Sequence, residues 1–189
     1  MPTLVVIGGP NGSGKTTLTP YLIESGRVKS SVINPDDIAF KEFGNYGFHV
    51  RAARVALNRR KQAIERNEDF AFETTFSGNS EIHEVIAAKS AGYKTILYYV
   101  ALQSVLDNVI RVEERRTNLG HHVELEDTVR RHEKSRINLI KNLGLFDKVY
   151  LFDNSDFRRS RVAIFENGKL RWSNEKHKHH PFYENLLKS

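Results

Sequence analysis

A ten-residue stretch near the start of the chain has the composition and spacing of a phosphate-binding loop. It reads GGPNGSGKTT, from Gly8 to Thr17, and Gly9 to Thr16 fits the pattern G-x-x-x-x-G-K-[ST] without a mismatch. Its glycines let successive backbone N–H groups turn inward around phosphate oxygens. Lys15 is spaced to reach the β- and γ-phosphates, and the Thr16 hydroxyl can ligate Mg²⁺. The sequence therefore predicts binding of ATP or GTP with Mg²⁺.

The predicted nucleotide site covers the loop and the first turn of the helix behind it. Its residues are Gly9, Pro10, Asn11, Gly12, Ser13, Gly14, Lys15, Thr16 and Thr17. The alternative is a glycine-rich turn that binds nothing, but such a turn has no use for Lys-Thr at its end. The motif does not say what happens to the γ-phosphate, because motors, switches and small-molecule kinases all share it.

Acidic residues follow two of the predicted strands. Asp36 and Asp37 come after a short strand that ends at Asn34-Pro35, and Glu73 ends the apolar strand FAF. Ligands of a parallel sheet collect beyond the carboxyl ends of its strands. An acid there can hold Mg²⁺ through water or accept a proton from an acceptor hydroxyl. Helix N-capping by an aspartate and a buried salt bridge of Glu73 stay open as alternatives.

A basic segment lies in the second half of the chain. Five arginines bracket the turn NLGHH, namely Arg111, Arg115, Arg116, Arg130 and Arg131. Beyond the turn, Arg131, Ser135 and Asn138 share one face of a predicted helix. Polar faces of this kind are usually solvated, but two of them around a glycine turn favour a lid, over about residues 111–138, whose arginines close on phosphates. A lid favours a kinase over a switch or a motor.

Strands and helices alternate along the chain, which predicts right-handed crossovers and a mostly parallel sheet. Strands are predicted at 4–7, 31–33, 70–72, 94–101 and 149–152, helices at 15–25, 50–67, 80–91, 104–116 and 126–143, and hairpin strands at 162–165 and 170–172. Asn167-Gly168 between the last two is a strong hairpin signal. We therefore expect an α/β, three-layer P-loop NTPase fold as one domain over residues 1–189, with a helical lid and a C-terminal β-hairpin.

Composition narrows the class of protein further. The 189 residues include no cysteine, which excludes disulfides, thiolate metal sites and a cysteine nucleophile. We see no signal peptide and no run long enough to cross a bilayer, so we expect a cytoplasmic protein without a membrane partner. A net charge of +6 favours anionic partners, but without a recognised nucleic-acid module we do not expect nucleic acid. The Lys- and His-rich tail from Asn174 is expected to be solvated or loosely docked rather than a metal tract.

In the order and spacing of these motifs, the chain resembles the zeta toxin family, specifically its short chromosomal, single-domain branch. The matching stretches occur in the family's order: VVIGGPNGSGKTTL, INPDDIA, FAFETTFSG, AGYKTILYYVAL, RVEERRTNLGHHV, VRRHEKSRINL and VYLFDNS. The resemblance implies ATP-dependent phosphorylation of a hydroxyl on a small acceptor. In the better-known zeta toxins that acceptor is the nucleotide sugar UDP-N-acetylglucosamine. It also implies an antitoxin protein as a partner.

The resemblance assigns roles to residues at matching positions. The resemblance implies that Lys15 and Thr16 bind ATP and Mg²⁺. It also implies that Asp36 is the general base that takes the proton of the acceptor hydroxyl. Arg115 and Arg131 resemble the lid arginines that stabilise the transferring phosphoryl group. The acceptor-binding set implied is Asp37, Glu73, Thr74, Arg111, His121 and Arg130. The chain departs from the family at Leu119, where many relatives have glycine, and at Glu124, where proline is common.

Two other functions remain compatible with the sequence. One is a kinase that phosphorylates another metabolite or the ends of nucleic acids and uses the basic lid to hold a polyphosphate acceptor. The other is a nucleotide-dependent ATPase or binding protein that transfers no phosphate.

Overall fold

A single mixed sheet organises the protein. The structure is a computed structural model that describes residues 1–119 and 125–188, except the side chains of Tyr46 and residues 115–119. The strands are β1 (Thr3–Gly8), β2 (Val32–Ile33), β3 (Phe70–Thr74), β4 (Lys94–Ala101), β5 (Lys148–Asp153), β6 (Ser160–Glu166) and β7 (Lys169–Ser173). Within the described residues these strands form one sheet in the order β2-β3-β1-β4-β5-β6-β7.

The sheet is parallel except at one edge. Strands β2, β3, β1, β4 and β5 run parallel, whereas β6 and β7 are antiparallel additions. Because β1 lies between β3 and β4, Ile7 pairs with Glu73 on one side and with Tyr98 on the other. The carboxyl ends of the parallel strands therefore meet at one edge. The predicted α/β fold, with its mostly parallel sheet and C-terminal hairpin, is confirmed.

Helices cover the connections between strands. They are α1 (Lys15–Glu24), α2 (Pro35–Phe43), α3 (His49–Glu65), α4 (Ser80–Ser90), α5 (Val105–Leu119), α6 (Leu125–Asn142) and α7 (Glu184–Leu187), and short 3₁₀ turns lie at Tyr46–Phe48, Leu143–Leu145 and Glu175–His177. The sequence did not predict α2, because Pro35 was interpreted only as the end of a strand. Pro35 is instead the first helical residue, where a missing N–H costs nothing. Among the described residues no helix combines the length and apolarity needed to cross a bilayer.

Apolar side chains pack on both faces of the sheet. On one face, Val85 of α4 and Leu139 of α6 join a large cluster with the strand residues. On the other, Leu18 and Leu22 of α1 pack against a smaller one. A third cluster includes Ile38 of α2, packed with residues of α3. Helix α2, which carries the predicted base, is therefore fixed against α3.

The C-terminal segment is docked into the larger core, so the prediction of a solvated or loosely docked tail is wrong. Phe182, Tyr183 and Leu186 are buried members of that cluster. The Tyr183 hydroxyl donates to the Phe152 carbonyl at 2.9 Å, and Arg136 Nε donates to the Phe182 carbonyl at 3.1 Å. Apolar residues spaced among the lysines and histidines decide the packing. No group of three or more metal-ligating side chains occurs in the described part of the chain.

Truncating Tyr183 tests this docking. We expect Tyr183→Ala to lower the free energy of unfolding by about 3–5 kcal/mol, because a fully buried ring is replaced by a cavity. Tyr183→Phe removes only the hydroxyl bond and should cost about 1 kcal/mol. Urea denaturation measures both. A change below about 0.5 kcal/mol for Tyr183→Ala, typical of exposed sites, would contradict the docking.

Candidate active site

The phosphate-binding loop joins the carboxyl end of β1 to the N-terminus of α1. Gly12 and Gly14 adopt positive φ angles of 75° and 99°, which side chains rarely tolerate. A Cβ on Gly12 would lie 2.5 Å from the Asn108 carbonyl oxygen. The backbone of α5 therefore leaves no room for a side chain at this position. Helix α1 has no acidic residue in its first turn. Its positive end is therefore left for an anionic ligand.

Lys15 lies over this loop. Its ammonium donates to the Gly9 carbonyl at 2.7 Å and to the Pro10 carbonyl at 3.0 Å. Thr16 is exposed in the same turn of α1. A cation above the loop, a hydroxyl beside it and glycines that leave room for phosphate oxygens together fit a Mg²⁺-bound nucleoside triphosphate.

Glu73 is a half-buried acid beside the loop. Thr19 of α1 donates to Glu73 Oε1 at 2.5 Å. Burial raises the pKa of Glu73 above its usual value, and the nearby charges of Asp37 and Asp36 add to this, whereas the Thr19 hydrogen bond and Lys15 lower it. Glu73 lies at the end of β3, beside β1, and the two aspartates lie in the first turn after β2, the neighbouring strand on the other side.

The two aspartates occupy the first turn of α2. Asn34, not an aspartate, is the N-cap, since its Oδ1 accepts from the Asp36 backbone N–H at 2.9 Å. The capping alternative is therefore wrong for both side chains. Asp37 pairs with Lys41 at 2.8 Å. The exposed Asp36 carboxylate has no hydrogen bond or ion pair with any described residue and is available to a ligand.

Helix α6 holds the loop that follows Glu73. Ser135 Oγ donates to the Thr75 carbonyl at 2.6 Å, and Asn138 Nδ2 donates to the carbonyls of Phe76 and Gly78, each at 3.1 Å. The face that Ser135 and Asn138 share with Arg131 therefore supports a loop at these two positions. The lid over about residues 111–138 stays a prediction.

That loop contains a strained residue. Phe76 is fully buried and has a positive φ of 58°, which is unfavourable for a bulky side chain. Thr74 Oγ1 accepts from the Phe76 N–H at 2.9 Å and donates to Glu81 at 2.8 Å. The Thr74 hydroxyl thus maintains the turn in this structure, and its predicted contact with the acceptor stays a prediction.

The described lid arginines are paired within their own helix. Arg130 and Arg131 contact the two carboxylate oxygens of Asp127 at 2.6 and 3.4 Å. The hydrogen bond from Arg130 holds the pKa of Asp127 below its usual value. Arg111 is half-buried on α5, which packs against α6. The side chains of Arg115 and Leu119, and all of His121 and Glu124, lie outside the described residues.

Two asparagines that the sequence did not single out contact the phosphate-binding loop. Asn108 Nδ2 donates to the Asn11 carbonyl at 2.6 Å, and Asn154 Nδ2 donates to the Ser13 carbonyl at 3.0 Å. One signal was present: Asn108 lies three residues before Arg111, on the same face of α5.

The zeta toxin family model matches residues 1–168. The chain belongs to the zeta toxin family. An uncharacterized protein of Haemophilus influenzae (strain Rd) is 31% identical over 129 residues, which is 65% of this chain and 86% of the relative. The resemblance based on the seven motifs is confirmed.

Solved structures share the fold. A chain of the AvrRxo1-ORF1:-ORF2 complex with ATP aligns with a TM-score of 0.70 at 18% identity, covering 99% of this chain and 64% of that chain. This chain thus spans less than two thirds of that neighbour. A chain of the PezAT chromosomal toxin–antitoxin system of Streptococcus pneumoniae aligns with a TM-score of 0.61 at 16% identity, covering 100% of this chain and 88% of that chain. The zeta toxin fold here is that of P-loop kinase-type proteins.

The half-buried Glu73 gives this protein a specific pH dependence. Because the pKa of Glu73 is raised, the stability that its protonation contributes is full below the unfolded pKa and is lost as pH rises through the folded pKa. Glutamine cannot ionise and still accepts the Thr19 hydrogen bond. We expect Glu73→Gln to gain stability relative to the parent as pH rises from the unfolded pKa through the folded pKa, and to keep that gain at higher pH.

Urea denaturation across that pH range measures the gain. Glu24→Gln, an exposed carboxylate on α1, is the matched control and should show no comparable gain. A Glu73→Gln stability profile parallel to that of the parent at every pH would contradict the role of burial.

Proposed function

We propose that this protein transfers the γ-phosphoryl group of ATP to a hydroxyl group of a small-molecule acceptor. The observation that carries the proposal is the placement of three acids at the carboxyl edge of the parallel strands. Glu73 lies at the end of β3 and accepts from Thr19 of α1, and Asp36 and Asp37 lie in the first turn after β2. A phosphate-binding loop alone suits any nucleotide-binding protein. Three acids beside it, one of them half-buried, suit an acceptor whose hydroxyl groups must be bound and deprotonated.

The loop and α1 hold the triphosphate. The backbone N–H groups of the loop and the positive end of α1 face the phosphates, and Lys15 exchanges its bonds to the Gly9 and Pro10 carbonyls for phosphate oxygens. Thr16 is placed to ligate Mg²⁺ through its hydroxyl. When bound, Mg²⁺ neutralises charge on the β- and γ-phosphate oxygens.

Asp36 acts as the general base. Its carboxylate takes the proton of the acceptor hydroxyl as that oxygen forms a bond to the γ-phosphorus. The bond from the γ-phosphorus to its bridging oxygen breaks, and ADP leaves with the electron pair. Asp36 is exposed on a helix fixed by α3, so it presents this carboxylate from a rigid element.

The arginines of α5 and α6 stabilise the transferring group. Arg131 leaves Asp127 and contacts the phosphoryl oxygens, and Arg115 approaches from α5. The long contact of 3.4 Å between Arg131 and Asp127, in a partly exposed pair, is a weak interaction that a charged phosphoryl group can replace.

The acceptor we propose is a nucleotide sugar such as UDP-N-acetylglucosamine. Glu73 and Thr74 accept hydrogen bonds from sugar hydroxyls, and Asp37 lies beside them. The diphosphate is matched by the basic segment through Arg111, His121 and Arg130. Membership of the zeta toxin family supports this acceptor class.

An antitoxin protein is the proposed macromolecular partner. Its support is the toxin–antitoxin system named for the Streptococcus pneumoniae neighbour, which the chain matches over its whole length. Co-purification with the products of adjacent genes tests this partner.

The proposed activity is tested by incubating the protein with Mg²⁺ and γ-labelled ATP and a panel of acceptors. The panel contains nucleotide sugars, nucleosides, other metabolites and oligonucleotides, and products are identified by mass. Transfer of the label to a nucleotide sugar supports the proposal. Label on an oligonucleotide end or another metabolite indicates a different kinase, and label only in free phosphate indicates an ATPase without phosphotransfer.

A further inference from the structure

The outward side of the phosphate-binding loop is held by two side-chain amides. When the N–H groups of such a loop turn towards phosphates, carbonyl groups of the loop face the opposite way and need donors of their own. Here Asn108 Nδ2 donates to the Asn11 carbonyl at 2.6 Å, and Asn154 Nδ2 donates to the Ser13 carbonyl at 3.0 Å. The two amides thus hold alternate carbonyls of the loop.

Asn108 makes this contact at a cost to its own hydrogen bonding. It is fully buried, and its Oδ1 has no hydrogen-bond partner among the described residues. A buried acceptor without a partner is unfavourable, so the bond to Asn11 is what explains an asparagine at this position. The backbone of Asn108 also packs directly on Gly12, where a Cβ would lie 2.5 Å from the Asn108 carbonyl oxygen.

Asn154 contacts the loop from a rigid support. Its backbone N–H donates to the Ala101 carbonyl at 3.1 Å, which fixes it to the end of β4. The preceding Asp153 is buried and accepts from the backbone N–H and the hydroxyl of Ser155 at 2.9 and 2.7 Å. A Cβ on Gly14 would collide with the Asn154 amide, so the two are in direct contact.

We propose that Asn108 and Asn154 are positioning residues for phosphate binding, which hold two loop carbonyls outward and thereby set the loop N–H groups towards the triphosphate. The inference rests on the proposed function, because it requires that the loop binds ATP. Neither side chain needs to touch the nucleotide. Their effect passes through the backbone of the loop.

Asn108 has a second consequence. Arg111 follows it by three residues on α5, so the two positions share one face of that helix. The bond from Asn108 therefore also fixes the arginine face relative to the phosphates. Losing it should reduce turnover as well as affinity, whereas losing the Asn154 bond should mainly reduce affinity.

The test measures binding of ATP and of inorganic triphosphate by titration calorimetry. Asn154→Asp keeps the shape but replaces the donor with an acceptor facing the Ser13 carbonyl, and Asn154→Ala removes it. Asn108→Leu loses only the bond to Asn11, because Oδ1 has no partner among the described residues. The matched control is Asn142→Ala, whose amide donates to the Asn138 carbonyl at 2.9 Å within α6.

We expect Asn154→Ala and Asn108→Leu each to weaken binding of both ligands about tenfold, as the loss of one hydrogen bond predicts, and Asn154→Asp to weaken it further. Melting temperatures without ligand report any general destabilisation, and kcat should fall more for Asn108→Leu than for Asn154→Ala. If Asn108→Leu does not fold, the two variants Asn154→Ala and Asn154→Asp test the proposal.

The inference would be overturned if Asn154→Asp bound inorganic triphosphate as tightly as the parent protein and the Asn142→Ala control do. So would a loss confined to ATP, since the loop contacts only phosphates. If the parent bound neither ligand, the proposed function would fail together with this inference. Intact ATP binding by the parent with unaffected Asn154 variants would remove the positioning role alone.

Discussion

We expect Asp36→Asn to lower the rate of phosphoryl transfer by about 10²- to 10⁴-fold, the range typical for loss of a general base. ATP affinity should stay near the parent value, because Asp36 lies on α2 and the proposed triphosphate site lies at the N-terminus of α1. Asparagine preserves the size of the side chain and the Asn34 cap, so the helix is unchanged. Single-turnover transfer with saturating ATP measures the effect directly.

Two further variants separate the base from the charge around it. Glu42→Gln alters an exposed carboxylate on the same helix, which pairs with Arg59 at 2.7 Å, and should transfer at the parent rate. Asp37→Asn leaves the base in place and should mainly raise the KM for the acceptor. Parent-like transfer by Asp36→Asn would rule out Asp36 as the base.

Removing the guanidinium of Arg131 has the other large effect. We expect Arg131→Ala to lower kcat about 10³-fold or more, the contribution typical of an arginine that stabilises a transferring phosphoryl group. Arg115→Ala should act similarly. The ATP dissociation constant should change far less than kcat, because the arginines contact the γ-phosphoryl group most strongly in the transition state.

The arginine role is checked by matched substitutions. Arg131→Lys retains the charge but not the planar donor pair, so its rate should lie between those of the parent and Arg131→Ala. Arg59→Ala removes an exposed helical arginine paired with Glu42 and should turn over as the parent does. Equal kcat for Arg131→Ala, Arg115→Ala and Arg59→Ala would contradict the lid.

Local patterns in the sequence predict most of the fold. Strand β4 has the predicted bounds, because an apolar run between a glycine turn and a helix start leaves little choice. Helix α2 was missed since Asn34-Pro35 fits either the end of a strand or the start of a helix, and only packing against α3 decides. The tail was misjudged because its charged composition outweighed the apolar pair Phe182-Tyr183.

Some residues of the candidate site could likewise be predicted from local sequence, and others could not. The phosphate-binding loop was predictable because its chemistry lies in eight consecutive residues. Asn108 and Asn154 were not, because their bonds to the loop join residues 97 and 141 positions apart in sequence. The pairing of Arg130 and Arg131 with Asp127 spans three and four residues and follows from helix periodicity alone.

A crystal structure with Mg²⁺ and a non-hydrolysable ATP analogue tests most directly whether phosphates bind this loop beneath the lid arginines. The expected result is a triphosphate on the N–H groups from Gly12 to Thr17, with Lys15 and Thr16 on the phosphate–metal unit. Arg131 is expected to have left Asp127 for the γ-phosphate. An analogue bound elsewhere, or Arg131 still paired with Asp127 over an occupied loop, would contradict the proposed chemistry.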